Sequence, residues 1–398
     1  MKHWVFVALV GFQSLLIPLH ARACAPLNNP CGIYEFRGYV TGGAPQGGVI
    51  LGPDGTLYGE TSAGGTAPCT ALHGQPKDGC GTVYSISKAG GFKVLVSFHG
   101  PNGAYGISNL TLVGNTLYGT TARGGAYNQG VIFSVNTDGS NYTLLHQFNG
   151  TDGNDPLGPL IPGPNGIFYG IAGGGGPNFP HQNPGVLFSL SATGTYSILY
   201  NFSEADGENP TTMILTPSGV LVGGTYYGGP GNNICGAQGC GVVFSFNPAT
   251  SQYTVLKNYD GTNGTSSPYI GSVAADGTIY GNDEDLFSIT LSGNYLILAQ
   301  SNPYNTGDIP ASGPILAQDG TIYGTYSQNL GGGALYSYNP SNPGILNAVC
   351  YFGSSGSTAG VTPDSQPIVA PNGSLIGTTY FATSTHYSVS GAIYDCTP

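Results

Sequence analysis

One short element recurs seven times along this chain, and that recurrence limits its fold more than any other feature. The element is a turn, then two apolar or aromatic residues, then Gly. It reads Asp54-Gly-Thr-Leu-Tyr-Gly59, Gly114-Asn-Thr-Leu-Tyr-Gly119, Asn165-Gly-Ile-Phe-Tyr-Gly170, Ser218-Gly-Val-Leu-Val-Gly223, Asp276-Gly-Thr-Ile-Tyr-Gly281, Asp319-Gly-Thr-Ile-Tyr-Gly324 and Asn372-Gly-Ser-Leu-Ile-Gly377. The copies lie 43 to 60 residues apart. A short apolar run precedes each copy, such as Gly48-Val-Ile-Leu51 or Pro314-Ile-Leu316. A second run follows each, as in Gly81-Thr-Val-Tyr-Ser-Ile86, Gly130-Val-Ile-Phe-Ser-Val135 and Gly185-Val-Leu-Phe-Ser-Leu190. A third run closes most repeats, as in Val94-Leu-Val-Ser-Phe98 and Thr143-Leu-Leu-His-Gln-Phe148.

Runs this short, rich in Val, Ile, Leu, Tyr and Phe and bounded by Gly, Asn, Asp and Pro, read as strands. Asp-Gly, Asn-Gly and Ser-Gly between the first two supply the positive φ of a tight hairpin. Each repeat therefore predicts a four-stranded meander, A-B-C-D. The strands are often continuously apolar, which predicts sheets covered on both faces. Seven such units predict an all-β chain, a seven-bladed β-propeller of four-stranded antiparallel blades. The ends sharpen this. The last repeat stops after strand C, near Gly391 to Cys396, and has no strand D. Near the amino terminus, Ile33-Tyr-Glu-Phe36-Arg-Gly38 matches Leu95-Val-Ser-Phe98-His-Gly100 in spacing. The N-terminal strand is thus predicted to complete the last blade, closing the ring without an exposed edge. Composition agrees: charged residues are only 7%, against roughly 25% in an ordinary domain, and the surfaces of helices are built from Lys, Glu and Arg.

The best copy runs Leu117-Tyr-Gly-Thr-Thr121, Gly124-Gly125, Gly130-Val-Ile-Phe-Ser134 and Phe148-Asn-Gly150-Thr-Asp152-Gly153-Asn-Asp-Pro156. This pattern resembles that of the secreted bacterial tandem-repeat proteins called GloVer-repeat proteins, over nearly all of residues 31–398. The resemblance implies a repeat fold and export. It implies no activity and assigns no residue a catalytic role. Members often carry a C-terminal surface-sorting tail, whereas this sequence ends at Tyr394-Asp-Cys-Thr-Pro398, so a free secreted protein is expected.

Residues 1–23 read as a secretory signal: a basic start at Lys2, an apolar run from Trp4 to Leu19, and the small-x-small site Ala21-Arg-Ala23. Residues 24–398 are expected to form one domain. Arg22 makes the site a poor lipid-attachment box. After cleavage six basic residues would face 19 acids, a net charge of −13. That excludes the basic stripe a nucleic-acid partner needs, and no membrane span is expected. Eight cysteines in an exported chain predict disulfides. Cys69 with Cys80 and Cys235 with Cys240 are each expected to close their own loop. Cys24, Cys31, Cys350 and Cys396 allow three pairings and are expected to lock the chain ends.

In a meander blade the A–B and C–D turns share one face, and the B–C and D–A loops share the other. The B–C loops are the long and varied ones, so that face is expected to carry function. Its candidate ligand-binding residues are Arg123, suited to a carboxylate; His181; Glu204 and Asp206, with further D–A acids at Asp152, Asp155, Glu208, Asp260 and Asp308; and Tyr226 and Tyr227, suited to sugar stacking or protein contact. Against this, Asp-Gly in a D–A loop also serves simple turn chemistry. His73 shares the face, while His99 and His146 are expected to pack within strand D. Blade five joins B to C through only Asn282-Asp-Glu-Asp285, predicting a notch edged by three acids. No nucleophile elbow, zinc-protease helix or phosphate loop occurs, so the catalytic residues are unknown and it stays open whether the chain is an enzyme. No cofactor is expected beyond a Ca²⁺ ion that the loop acids could take. Three readings remain: a monomeric binder of a glycan or extracellular partner, an extracellular enzyme acting on polysaccharide or lactone, and a structural or adhesive envelope protein.

Overall fold

The computed structural model describes residues 30–36, 40–66, 68–69, 79–177, 179, 183–231, 234–236, 238–261, 268–300, 308–310, 312–328, 332–353, 362–380 and 391–398. Their strands form seven antiparallel sheets. Blade one contains Ile50–Leu51, Leu57–Thr61, Thr82–Ile86 and Phe92–Ser97, in that order from the innermost strand outward. Blades two to six repeat the order over residues 111–147, 161–201, 208–258, 269–299 and 308–352. In blade six the inner edge is split between Asp308–Pro310 and Ile315–Leu316, both paired to Ile322–Gln328. The A–B hairpins turn as the sequence predicts. Gly55 adopts φ 83°, and Asp54, Asp276 and Asp319 each accept a hydrogen bond from the backbone N–H two residues on, at 3.0, 2.9 and 2.9 Å.

The recurrent Gly has a packing reason. In every blade it pairs across strands with the aromatic residue of strand C: Gly59 with Tyr84, Gly119 with Phe133, Gly170 with Phe188, Gly223 with Phe244, Gly281 with Phe287, Gly324 with Tyr336 and Gly377 with Tyr394. A Cβ at any of the seven would overlap that ring. Strands B and C are accordingly buried on both faces, as in Leu57–Thr61 and Thr82–Ile86.

Seven apolar clusters fill the spaces between blades. Each joins one blade to the next, as Tyr58 and Val83 meet Leu117 and Phe133 between blades one and two. The last cluster unites Ile376 and Ile393 of blade seven with Leu57 and Tyr84 of blade one. The ring is therefore closed by the same burial that holds its members together.

The closing strand is the N-terminal one. Cys31–Phe36 pairs antiparallel with Gly391–Cys396. Its side chains also take up the role of an ordinary strand D. Tyr34 stacks on Phe92 of blade one at 4.5 Å. His146 stacks on Tyr196 at 3.9 Å and Tyr200 on Tyr253 at 4.0 Å, likewise joining the outer strands of neighbouring blades. Cys69–Cys80 and Cys235–Cys240 close their loops as expected. Of the pairings open to the other four cysteines, Cys350 is bonded to Cys396, tying the outer strand of blade six to the third strand of blade seven. Cys31 is also disulfide-bonded. Cys24 and the leader 1–23 lie outside the described residues. No described helix is long and apolar enough to cross a membrane.

Candidate functional site

The D–A crossings of blades one to three share one construction. Asn102, Asp152 and Asp206 accept hydrogen bonds from the backbone N–H of His99, Asn149 and Ser203 at 2.8, 2.8 and 2.9 Å. On the next outer strand, Tyr142, Tyr196 and Tyr253 donate to the carbonyl oxygens of the same three residues at 2.5, 2.6 and 2.7 Å. The loop acids are thus turn formers, locked by the neighbouring blade. Asp206 further accepts from the hydroxyls of Ser203 and Tyr200, so its carboxylate is spent on its own turn. His146 serves packing and reaches Asp152 at 3.1 Å.

The other candidates separate. Arg123 forms an ion pair with Asp155 at 2.9 Å. Glu204 is exposed, and Glu208 is raised above its ordinary pKa, first by burial and then by Glu204. Tyr226 and Tyr227 meet edge to face at 4.5 Å, with Tyr227 opposite Glu208 in the sheet. His181, His73 and the side chain of Asp308 lie outside what is described. The blade-five turn differs from the expected notch: Asp283 is only 3% exposed and accepts from Glu284 N, Asp285 N and the Tyr295 hydroxyl at 2.7, 2.8 and 2.9 Å. A four-residue turn must satisfy its own backbone donors, and this acid turns inward to do it.

Past each crossing the chain turns inward to the axis. At the same point of the sequence repeat, just before the inner strand, stand Gln46, Ile107 and Leu157 in blades one to three, Ala311 in the sixth repeat and Asp364 in the seventh. Two residues on, Gln366 donates its side-chain amide to the carbonyls of Gly313 and Gly271 at 3.1 and 3.2 Å. That bridge runs from blade seven to blades six and five, with Asp364 two residues before Gln366 and Tyr269 two residues before Gly271. Gly48 N, at the inner strand of blade one, donates to Asn109 Oδ1 of blade two at 2.5 Å.

Asp364 carries no hydrogen bond or ion pair among the described residues, and burial pushes it up to about 6. Tyr380 is anchored alongside, its N–H on Thr362 O at 2.9 Å. Burial raises Tyr380, with further contributions from Tyr105 and Asp364. Burial also raises Tyr269, with contributions from Tyr226 and Asp364. Asp364 thus lies within electrostatic reach of Tyr380 and Tyr269, which in turn lie within reach of Tyr105 and Tyr226 respectively. Tyr105 and Tyr226 are 38% and 40% exposed. Tyrosine rings about a half-buried carboxylate can stack on a flat apolar face and accept or donate hydrogen bonds at its edge. No cluster of three or more His, Cys, Asp or Glu that could hold a metal occurs among the described residues.

The sequence pattern of the Gloeobacter/Verrucomicrobia repeat matches residues 30–235, just over half of the chain. The chain belongs to the Gloeobacter/Verrucomicrobia repeat family. No curated protein sequence matches it. Among solved structures, this family member is similar to a virginiamycin B lyase from Staphylococcus aureus, with 12% identity, 92% of this chain and 98% of that one covered, and a TM-score of 0.59. It is similar to an oligogalacturonate lyase from Vibrio parahaemolyticus, with 12% identity, 92% of each chain and a TM-score of 0.56. It is also similar to the extracellular domain of a two-component system from B. thetaiotaomicron, with 11% identity over 90% of this chain but 39% of that one, and a TM-score of 0.56. Identities this low establish the propeller fold alone. Disulfides in a member of this repeat family point to an extracellular protein.

Of the residues singled out from the sequence, only Tyr226 belongs to the axial group. Asp364, Tyr105, Tyr269 and Tyr380 were missed. The available signal was a mismatch between repeats: an acid at a position that elsewhere holds Gln, Ile, Leu or Ala.

Proposed function

We propose that this repeat protein is secreted, acts as a monomer and binds a glycan at the axial mouth of its B–C/D–A face. The observation that carries the reading is Asp364 within electrostatic reach of Tyr269 and Tyr380, next to the partly exposed Tyr226 and Tyr105. Sugar rings present apolar faces to aromatic planes and hydroxyls to carboxylates. Tyr226 and Tyr269 sit on strands of the rigid scaffold, and Tyr105 and Tyr380 on its connecting segments. The reading needs no cofactor, so added Ca²⁺ is expected to leave binding unchanged. A glycan array followed by titration calorimetry tests it. Tyr226→Ala is expected to weaken the captured glycan about tenfold. An array without a hit would overturn glycan binding and leave an extracellular protein as partner.

A second reading is an extracellular lyase or hydrolase. It is supported by Asp364, which burial brings to about 6, close to where a general acid or base works well at neutral pH. Turnover of a polysaccharide or lactone that Asp364→Asn abolishes would favour it over binding alone.

A further inference from the structure

We propose that the seam between blades one and two is a proton-operated latch, closed while the Glu60 carboxyl is protonated and loosened ahead of the other seams when it ionises. The inference is independent of the glycan reading. Glu60 follows the recurrent Gly of strand B. At the same place Thr120, Thr325 and Thr378 pair their hydroxyls with Ser108, Ser312 and Ser365 at 2.9, 2.9 and 2.8 Å. Asn282, likewise, donates to Ser312 O at 3.1 Å and accepts from the Tyr336 hydroxyl at 2.8 Å. Glu60 is fully buried, and both its oxygens lack a hydrogen-bond partner. The crossing it faces departs from the repeat as well. Ala44, Tyr105, Asp155 and Asn209 share a left-handed backbone, with φ of 50°, 62°, 52° and 54°. Proline follows three of them, and Pro45, Pro156 and Pro210 press closely on Gly391, Gly130 and Gly185 of the preceding blade. Tyr105 is followed instead by Gly106. A Cβ there would overlap one Glu60 oxygen, and a Cβ on Gly119 would overlap the other. The carboxyl is thus packed between two backbones of blade two, in space that a larger residue at Gly106 would fill.

The titratable groups facing Glu60 are Tyr84 of its own blade and Tyr142 of blade two, both held neutral first by burial and then by Glu60 itself. Tyr142 already donates to Asn102 O at 2.5 Å. The described Lys and Arg side chains lie elsewhere: Arg123 on Asp155, Lys93 on the carbonyl of Asp138, Lys88 along Gly55 in the A–B turn, and Lys257 over Tyr259 and Tyr295. Protonated, Glu60 is a neutral polar group in a packed seam. Ionised, it is a buried charge met by neither cation nor donor, which costs far more. Burial accordingly raises its pKa well above the ordinary value, so the seam holds in acid and yields as pH rises through the raised value. Parting blades one and two rehydrates the carboxylate, and the strain is relieved locally.

Amide hydrogen exchange on the whole protein tests this, because three seams carry equivalent reporters. Tyr105 N–H donates to Cys80 O, Asp155 N–H to Gln129 O and Asn209 N–H to Pro184 O, at 2.9, 3.1 and 2.8 Å. After correction for the intrinsic rate, protection at Tyr105 is expected to fall at least about 100-fold between about pH 5 and about pH 9, and at Asp155 and Asn209 less than about threefold. Glu60→Gln is expected to level the three reporters. So is Glu60→Thr combined with Gly106→Pro, which gives this seam the residues that Thr120 and Pro156 supply at the next one. Equal losses at all three seams, no loss at Tyr105, or a loss at Tyr105 that persists in either variant overturns the inference.

Discussion

The acids of the rim and the acids near the axis are the same residue types in opposite circumstances. Asp152 and Asp206 sit in crossings where a backbone N–H is within 2.8 and 2.9 Å and a tyrosine from the next blade clamps the same turn. Asp364 has no such partner, and Glu60 goes further: it is fully buried between blades one and two, and neither carboxylate oxygen has a hydrogen-bond partner. Glu60 stands where blade two has Thr120, whose hydroxyl pairs with Ser108 at 2.9 Å. The rim acids hold the scaffold in place. The inner ones are tolerated by it, and an acid kept against its stability cost is where function is most reasonably sought.

Glu60 should give the largest effect. Burial raises its pKa well above the ordinary value. A carboxyl raised on folding stabilises fully below its unfolded pKa, and that contribution is lost as pH climbs through the folded one. Thermal melts should therefore fall as pH rises above about 4.5, and Glu60→Gln should flatten that fall, gaining on the order of 3 kcal/mol at pH 8. A variant that melts with the unchanged pH profile would place Glu60 among satisfied groups and weaken the contrast.

Next comes the rim. Asp206→Ala removes the acceptor for Ser203 N and two hydroxyls, and denaturant unfolding should register a loss of about 2 kcal/mol. Asp364→Asn should behave in the opposite sense, leaving stability unchanged or raised by about 1 kcal/mol at pH 8, because the wild-type carboxyl is charged there at a burial cost. Carbon-detected NMR of the carboxyls should find one group titrating at about 6, and it should vanish in that variant. The smallest effect belongs to Tyr196→Phe, which loses one hydrogen bond to Asp152 O and keeps the stack on His146. Chemical unfolding should show a cost near 1 kcal/mol.

What could be read from the sequence follows from repetition. Seven copies of the Tyr-Gly hairpin, the missing last strand and Ile33–Phe36 as its replacement were all legible, because each was a pattern seen many times or one conspicuous gap. The two loop disulfides were legible from spacing. The Cys350–Cys396 bond was not, since the four cysteines near the chain ends allow three pairings and spacing does not choose among them. The mouth was hidden for a related reason. Asp364, Tyr105, Tyr269 and Tyr380 are individual departures from the repeat, and the Gln366 hydrogen bonds from blade seven to Gly271 and Gly313 follow no spacing rule. The acids that did catch the eye, Asp206 above all, were visible because they belong to the repeat, and so they do its structural work.

The pairing of Cys31–Phe36 with Gly391–Cys396 leaves the two ends of the described chain side by side on the outer wall. Where the backbone starts and stops is then almost arbitrary to the finished ring. Joining those ends by a short linker and reopening the chain at an exposed hairpin, such as the one after Asn165, should give the same disc with a different first residue. The position of the seam is an accident of how the gene reads, whereas the number of sheets is fixed by how they pack.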